Sequence, residues 1–355
     1  MRAARDSWLN PALALSLCVA VGGTFAWLRV PLPWMIGPLI AMATCNIAGA
    51  DLRAPRTARA AGQVVIGVAL GLYFTPLVVR ETLSFWPLLL LAAAVAIGLG
   101  VLSGWVLSAA SGVDRTTAFF ASVPGGATEM TLLGERFGAR ADRVALAQSL
   151  RIVVVVMVIP VALTYSGAHG SDTYVPIQIP FRAPGLGLLL AAATVCGLVL
   201  ARLKLPNAFM FGPLALSIAL TAGDVQLSSM PGPLSSAAQT LLGCALGARF
   251  ERRSFERAPR FVFGVLVSVG AAIAVSSAVA IAVAASIGLP AASMVLAMAP
   301  GGIAEMCITA KVLQLGVPLV TATHVTRVFV LLASTGTVYR WARSRLERAR
   351  RARQY

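Results

Sequence analysis

The stretch Ser122-Val123-Pro124-Gly125-Gly126-Ala127-Thr128-Glu129-Met130 returns later in the chain as Met298-Ala299-Pro300-Gly301-Gly302-Ile303-Ala304-Glu305-Met306. In both copies a proline and two glycines, residues that break helices, interrupt an apolar run, and a carboxylate follows three residues after the second glycine. At membrane depth an unwound backbone and a charge are both costly, and they persist where they line a cavity or a site. The plainer alternative is a pair of connecting loops at the membrane surface.

The membrane setting follows from composition. Of 355 residues, 58% are hydrophobic and only 12% charged, outside the balance of a soluble domain. Apolar runs of roughly 17 to 25 residues recur along the chain, long enough to cross a bilayer as helices, and the short alternating segments of a strand-built barrel are missing. The first run, 11–28, follows Arg2 and Arg5 like a secretory signal, but it is long and no small-x-small cleavage site precedes Arg29. It reads as a retained helix.

A net charge of +16, from 29 Lys and Arg against 13 Asp and Glu, would point to nucleic acid in a soluble chain. Here the basic residues sit between apolar runs and in the tail from Arg340 to Arg353, where orientation in the membrane and contact with anionic lipid headgroups account for them. No direct nucleic-acid binding is expected. The five cysteines, Cys18, Cys45, Cys196, Cys244 and Cys307, all fall in apolar runs without metal-ligand spacing, so neither a metal site nor a cofactor is expected.

Working outward from the motif exposes a duplication. Gln63 and Gln239, Gly71 and Gly247, Pro124 and Pro300, Glu129 and Glu305, and Arg151 and Arg327 all differ by 176. Upstream, Met35-Ile36-Gly37-Pro38-Leu39 matches Met210-Phe211-Gly212-Pro213-Leu214 at an offset of 175. Two membrane repeats, 1–165 and 186–341, are therefore expected, joined by an external linker at 166–185 and followed by a basic cytoplasmic tail at 342–355.

Each repeat holds six apolar segments: 11–28, 34–50, 60–79, 85–109, 116–134 and 144–163, then 186–201, 207–222, 236–248, 261–287, 292–310 and 318–339. If all six crossed, Arg136, Arg140 and Arg143, Arg202 and Lys204, and the cluster Arg249 to Arg260 would fall outside, against the positive-inside bias. If the Pro-Gly-Gly segment enters and returns, five cross and those residues move inside. Five is odd, so the second repeat is turned over. The loops agree: Arg53, Arg56 and Arg59 correspond to 222–235, which has no Lys or Arg, whereas the lone Arg80 corresponds to the basic stretch after Arg249. The expected architecture is an all-α polytopic protein of about ten transmembrane helices in two inverted repeats, each with a re-entrant or broken Pro-Gly-Gly segment. A broken segment that crosses while a neighbour does not has the same parity.

The helix after each motif carries a second buried charge, Arg151 in Gln148-Ser149-Leu150-Arg151 and Arg327 in His324-Val325-Thr326-Arg327. The i, i+3 spacing puts Gln148 with Arg151, and His324 with Arg327, on one helix face. A buried arginine requires a carboxylate, carbonyls, water or an anion. One reading pairs Glu129 with Arg151 and Glu305 with Arg327 as structural ion pairs. The other makes Pro124, Gly125, Gly126, Thr128, Glu129, Gln148, Arg151, Pro300, Gly301, Gly302, Glu305, His324 and Arg327 one substrate or ion site, because free amides bind anions and free carbonyls bind cations. Gln63, Asn207 and Gln239 are weaker candidates. Gly67 with Gly71, and Gly243 with Gly247, read as close helix packing.

The paired Pro-Gly-Gly-x-x-Glu-Met and Met-x-Gly-Pro-Leu motifs, with the 176-residue duplication, resemble the AbrB family of duplicated bacterial membrane proteins over nearly the whole chain. Some members carry an ammonia monooxygenase label and others are described as regulators of gene expression. The resemblance brings no binding residues with it. An oxygenase needs clustered imidazoles, and this chain has two histidines, His169 and His324, so an enzyme is not expected. The function expected is secondary transport of a small anionic solute coupled to protons or sodium, in the bacterial inner membrane with both termini cytoplasmic. A membrane-embedded sensor acting indirectly on expression is the alternative. The expected partners are lipids, the small solute or ion, and further copies in an oligomer.

Overall fold

A chain in hydrocarbon must satisfy each amide internally, so long apolar runs become helices. The computed structural model describes residues 2–168, 179–250, 252, 256 and 258–351, and no strand occurs among them. The first repeat forms α1 (Arg2–Trp27), α2 (Pro33–Ile47), α3 (Ala58–Gly71), α4 (Pro76–Ser84), α5 (Trp86–Ser111), α6 (Arg115–Ser122), α7 (Ala127–Arg136) and α8 (Ala141–Tyr165). The second forms α9 (Ala183–Arg202), α10 (Ala208–Ala222), α11 (Gly232–Gly247), α12 (Pro259–Ile287), α13 (Ala291–Met298), α14 (Ile303–Leu313) and α15 (Val317–Arg351). Half of the expected linker, 169–178 with His169, lies outside the described residues, as do 352–355 of the tail. Arg253, in the basic stretch after Arg249, lies outside them too.

Six helices are long and apolar enough to cross a membrane: α1 from Asn10, α5, α8, α9, α12, and α15 as far as Arg340. A seventh is counted if α3 and α4 form one span, bent by 91°. The sequence reading took 60–79 as one segment. The structure instead stops α3 at Gly71 and restarts at Pro76, because Thr75 caps α4, its hydroxyl accepting from the Val78 amide at 3.4 Å, and the proline sits in the first turn. At 15 residues each, α2 and α10 reach only about 22 Å, against roughly 30 Å of hydrocarbon.

Both Pro-Gly-Gly stretches are helix breaks. Helix α6 ends at Ser122 and α7 begins at Ala127; α13 ends at Met298 and α14 begins at Ile303. The two halves interlock through equivalent elements: α3 packs on α10 and α2 on α11, while α5 packs on α12. Small residues permit this. A Cβ on Gly67 would lie 2.8 Å from the Met210 carbonyl oxygen and 3.1 Å from Pro213 Cβ, and one on Gly243 would meet the Met35 carbonyl and lie 3.2 Å from Pro38 Cβ. The Met-x-Gly-Pro-Leu motif of each half is thus the surface on which a glycine of the other half rests. This interlocking, with α8 on α12 and α15 on α5, draws the two helix breaks together.

Candidate functional site

Each break leaves carbonyls at the end of one short helix and amides at the start of the next. On the carbonyl side, Gln148 Nε2 donates to Phe120 O at 2.8 Å, Ala121 O at 3.3 Å and Val123 O at 2.9 Å. Arg151 Nη1 donates to Ser122 O at 3.3 Å and Val123 O at 3.1 Å. The second half places its equivalent residues on the same helix end, with Leu296 O and Ala299 O in the places of Phe120 O and Val123 O. His324 Nε2 bonds Leu296 O at 2.9 Å, Arg327 Nη1 donates to Ala299 O at 2.5 Å, and Arg327 Nη2 donates to Gly301 O at 2.6 Å. With no other partner for that ring nitrogen, a carbonyl fixes the His324 proton on Nε2.

Both arginines lie ten residues into their helices, about 15 Å along the axis and near mid-bilayer depth. Arg151 is 5% and Arg327 3% exposed. Among the described residues, no ion pair joins either one to a glutamate, so the carboxylate-pairing alternative is not what the structure builds. The negative ends of α6 and α13 supply the counter-charge instead, each about half an elementary charge.

On the amide side the motif's remaining letters find their purpose. Gly126 and Gly302 are the residues before α7 and α14, and each glutamate, third in its helix, folds back over that glycine. A carboxylate at this position faces the amides and positive dipole of the first turn. A Cβ on Gly126 or Gly302 would meet the Glu129 or Glu305 carboxylate, and one on Gly125 or Gly301 would meet Met130 or Met306. Pro-Gly-Gly-x-x-Glu-Met is therefore a self-covering helix break.

The two breaks meet around two cavities. One, of about 20 Å³, is lined by Ser122, Pro124, Arg151, Met298, Pro300 and Arg327 together with residues of α5 and α12. The other, of about 50 Å³, is lined by Pro124, Gly126, Arg151, Gly301, Gly302, Glu305 and Arg327, and also by Arg59, Gln63 and Asn207. Pro124 and both arginines border both cavities. A water needs about 10–15 Å³ of such space, so the smaller holds one water-sized group and the larger three or four.

Of the sequence candidates, Gln148 and His324 are buried behind the carbonyls they bind and line neither cavity. Thr128 is exposed and Gln239 is buried, both away from these cavities, and Glu129 is half-buried beneath Gly126. Two arginines escaped the sequence reading because they were counted only as loop charges. Arg59 reaches the larger cavity from the first turn of α3. Arg249, just past α11, has its guanidinium pulled down to about 10 by burial, with Arg59 adding to the shift and Glu305 and Glu129 opposing it. It remains a cation near neutral pH.

This arrangement coincides with the part of the chain that known proteins share. The family described as "Transition state regulatory protein AbrB" matches residues 34–343. The chain belongs to the AbrB family. It is 25% identical over 330 residues to the Escherichia coli (strain K12) protein named "Putative regulator AbrB", covering 92% of this chain and 94% of that one. It is 29% identical over 362 residues to YhjN of Bacillus subtilis (strain 168), covering 95% of this chain and 92% of YhjN. Both alignments take in nearly the whole of each chain.

Proposed function

We propose that this AbrB-family protein is a non-enzymatic secondary transporter of a small anion, built as two inverted repeats of five crossings in the bacterial cytoplasmic membrane with both termini cytoplasmic. The observation that carries the proposal is the larger cavity, bordered by two mid-membrane guanidiniums and by the opening residues of α7 and α14. Two helix starts and two cations with no carboxylate partner make a seat for negative charge. The cavity reaches Arg59 and Gln63, on the side that the positive-inside bias assigns to the cytoplasm, while their repeat equivalents Ser235 and Gln239 are buried. A cavity that takes in these residues of one repeat and not their equivalents in the other is the asymmetry expected of one state in alternating access. The name of the Escherichia coli relative fits an indirect route to regulation, in which moving or sensing a metabolite changes expression.

Purified protein in liposomes should take up one or more members of a panel of small organic acids and inorganic anions, and no amines. Saturable binding without flux would replace the transporter with a sensor, and neither binding nor flux would remove the solute reading altogether. Inversion has its own test. Arg56 and Asp224, both exposed, lie in equivalent loops of the two repeats. In a background without native cysteines, Arg56→Cys should react with an impermeant maleimide only from the cytoplasmic face and Asp224→Cys only from the outer face. Labelling of both from one face would refute the inverted plan.

A further inference from the structure

The two arginines hold equivalent places but do not offer the same atoms. Arg327 spends both terminal nitrogens on helix-end carbonyls, Nη1 on Ala299 and Nη2 on Gly301, and keeps only a buried, unpartnered Nε. Arg151 spends Nη1 alone, on Ser122 and Val123. Its Nε is buried without a partner, and no hydrogen bond among the described residues reaches its Nη2. Nε–H and Nη2–H are the parallel donors of one guanidinium edge, the edge that grips a planar oxyanion at two points.

The difference tracks the glycine that follows. Gly126 has φ 91°, in the left-handed region, whereas Gly302 has φ −80°. That torsion rotates the preceding peptide plane, and only in the second half does the carbonyl before it, Gly301 O, close the arginine's edge. Glycine is needed at 126 because other residues rarely hold this φ.

Resting on the anion-transport reading above, we infer that Arg151 is the ligand arm of the site, binding a monovalent planar oxyanion of the carboxylate type through its free Nε/Nη2 edge, and that Arg327 is a positioning residue. The larger cavity, with room for three or four water-sized groups, matches a carboxylate head with one further heavy atom. Its other polar lining, Arg59, Gln63, Asn207 and the first-turn amides, supplies donors, and Glu305 is the one carboxylate there.

The test is equilibrium binding of radiolabelled acetate to the full chain in detergent, competed with chloride and with sulfate. Chloride cannot use two parallel donors, so wild type should prefer acetate over chloride by about tenfold or more, and Arg151→Lys, which offers a point charge, should weaken acetate by about tenfold and level the preference. Equal competition by chloride in wild type, or an unchanged acetate preference in Arg151→Lys, would overturn the forked seat while leaving an anion site standing. If Arg151→Lys fails to fold, the wild-type ratio decides alone. Wild type that binds none of the three anions would bring down the transport reading together with this one.

Discussion

Arg327→Met should be among the most destabilising single changes in the chain, lowering unfolding free energy by roughly 2–5 kcal/mol. The substitution keeps much of the volume but strips the Ala299 and Gly301 carbonyls of their charged donors. Each hydrogen bond from a charged group contributes about 1.5–3 kcal/mol, and each buried carbonyl left bare costs about 1–3 kcal/mol. Relief from burying a cation offsets several kcal/mol of that sum. The loss wins because α13 ends in exposed carbonyls whether or not the arginine is present. Arg151→Met should cost less stability, since one terminal nitrogen rather than two is committed to carbonyls, yet remove more anion binding. Thermal loss of the monodisperse peak in detergent reports the first effect and acetate binding the second. If Arg151→Met proves the less stable of the two, the division of labour between the arginines is wrong.

Much of this was legible before any coordinates. The offset of 176 predicted that the two breaks would be equivalent, and Val123 and Ala299, the carbonyls that take Nη1 of Arg151 and of Arg327, differ by that same offset. What the sequence hid was the identity of those partners. A glutamate in each motif and an arginine in the following helix invite a Glu–Arg pairing, but residue types say nothing of the carbonyls that a helix presents when it stops at Ser122 or Met298. The Gly-x-x-Glu spacing did contain the answer for the glutamates, as a carboxylate third in its helix belongs to its own first turn. Thr75-Pro76 likewise announced the bend between α3 and α4, and was passed over because the hydropathy of 60–79 is continuous. The inequality of the two guanidinium edges had no signal at all, since Gly126 and Gly302 are the same residue in different conformations.

Glu305→Gln is expected to abolish proton-driven accumulation of the anion while preserving a folded, anion-binding protein. Charge explains why. Glu129 and Glu305 set two negative charges against Arg151 and Arg327, and the roughly half-unit charges at the ends of α6 and α13 balance those at the starts of α7 and α14, while Arg59 and Arg249 add positive charge at the larger cavity. That surplus of positive charge draws the anion in, and Glu305 is the carboxylate it meets on the cavity wall. Under the proposed coupling, a glutamate is the group that carries a proton in with the anion and so becomes neutral. Glu305 is the carboxylate on the wall of the larger cavity, 8% exposed, where Arg59, Arg151 and Arg327 face it from α3, α8 and α15, and Arg249 lies close enough to interact with it electrostatically. Glutamine makes that neutrality permanent. The variant should bind acetate with less dependence on pH than wild type, exchange it across liposomes down its own gradient, and fail to concentrate it when a proton gradient is imposed, an effect of at least about tenfold in accumulation. When the site turns to the other face, Glu129 takes the corresponding place, so Glu129→Gln should lose accumulation as well. A Glu305→Gln protein that still concentrates the anion against its gradient would reduce the glutamate to a cap on its own helix.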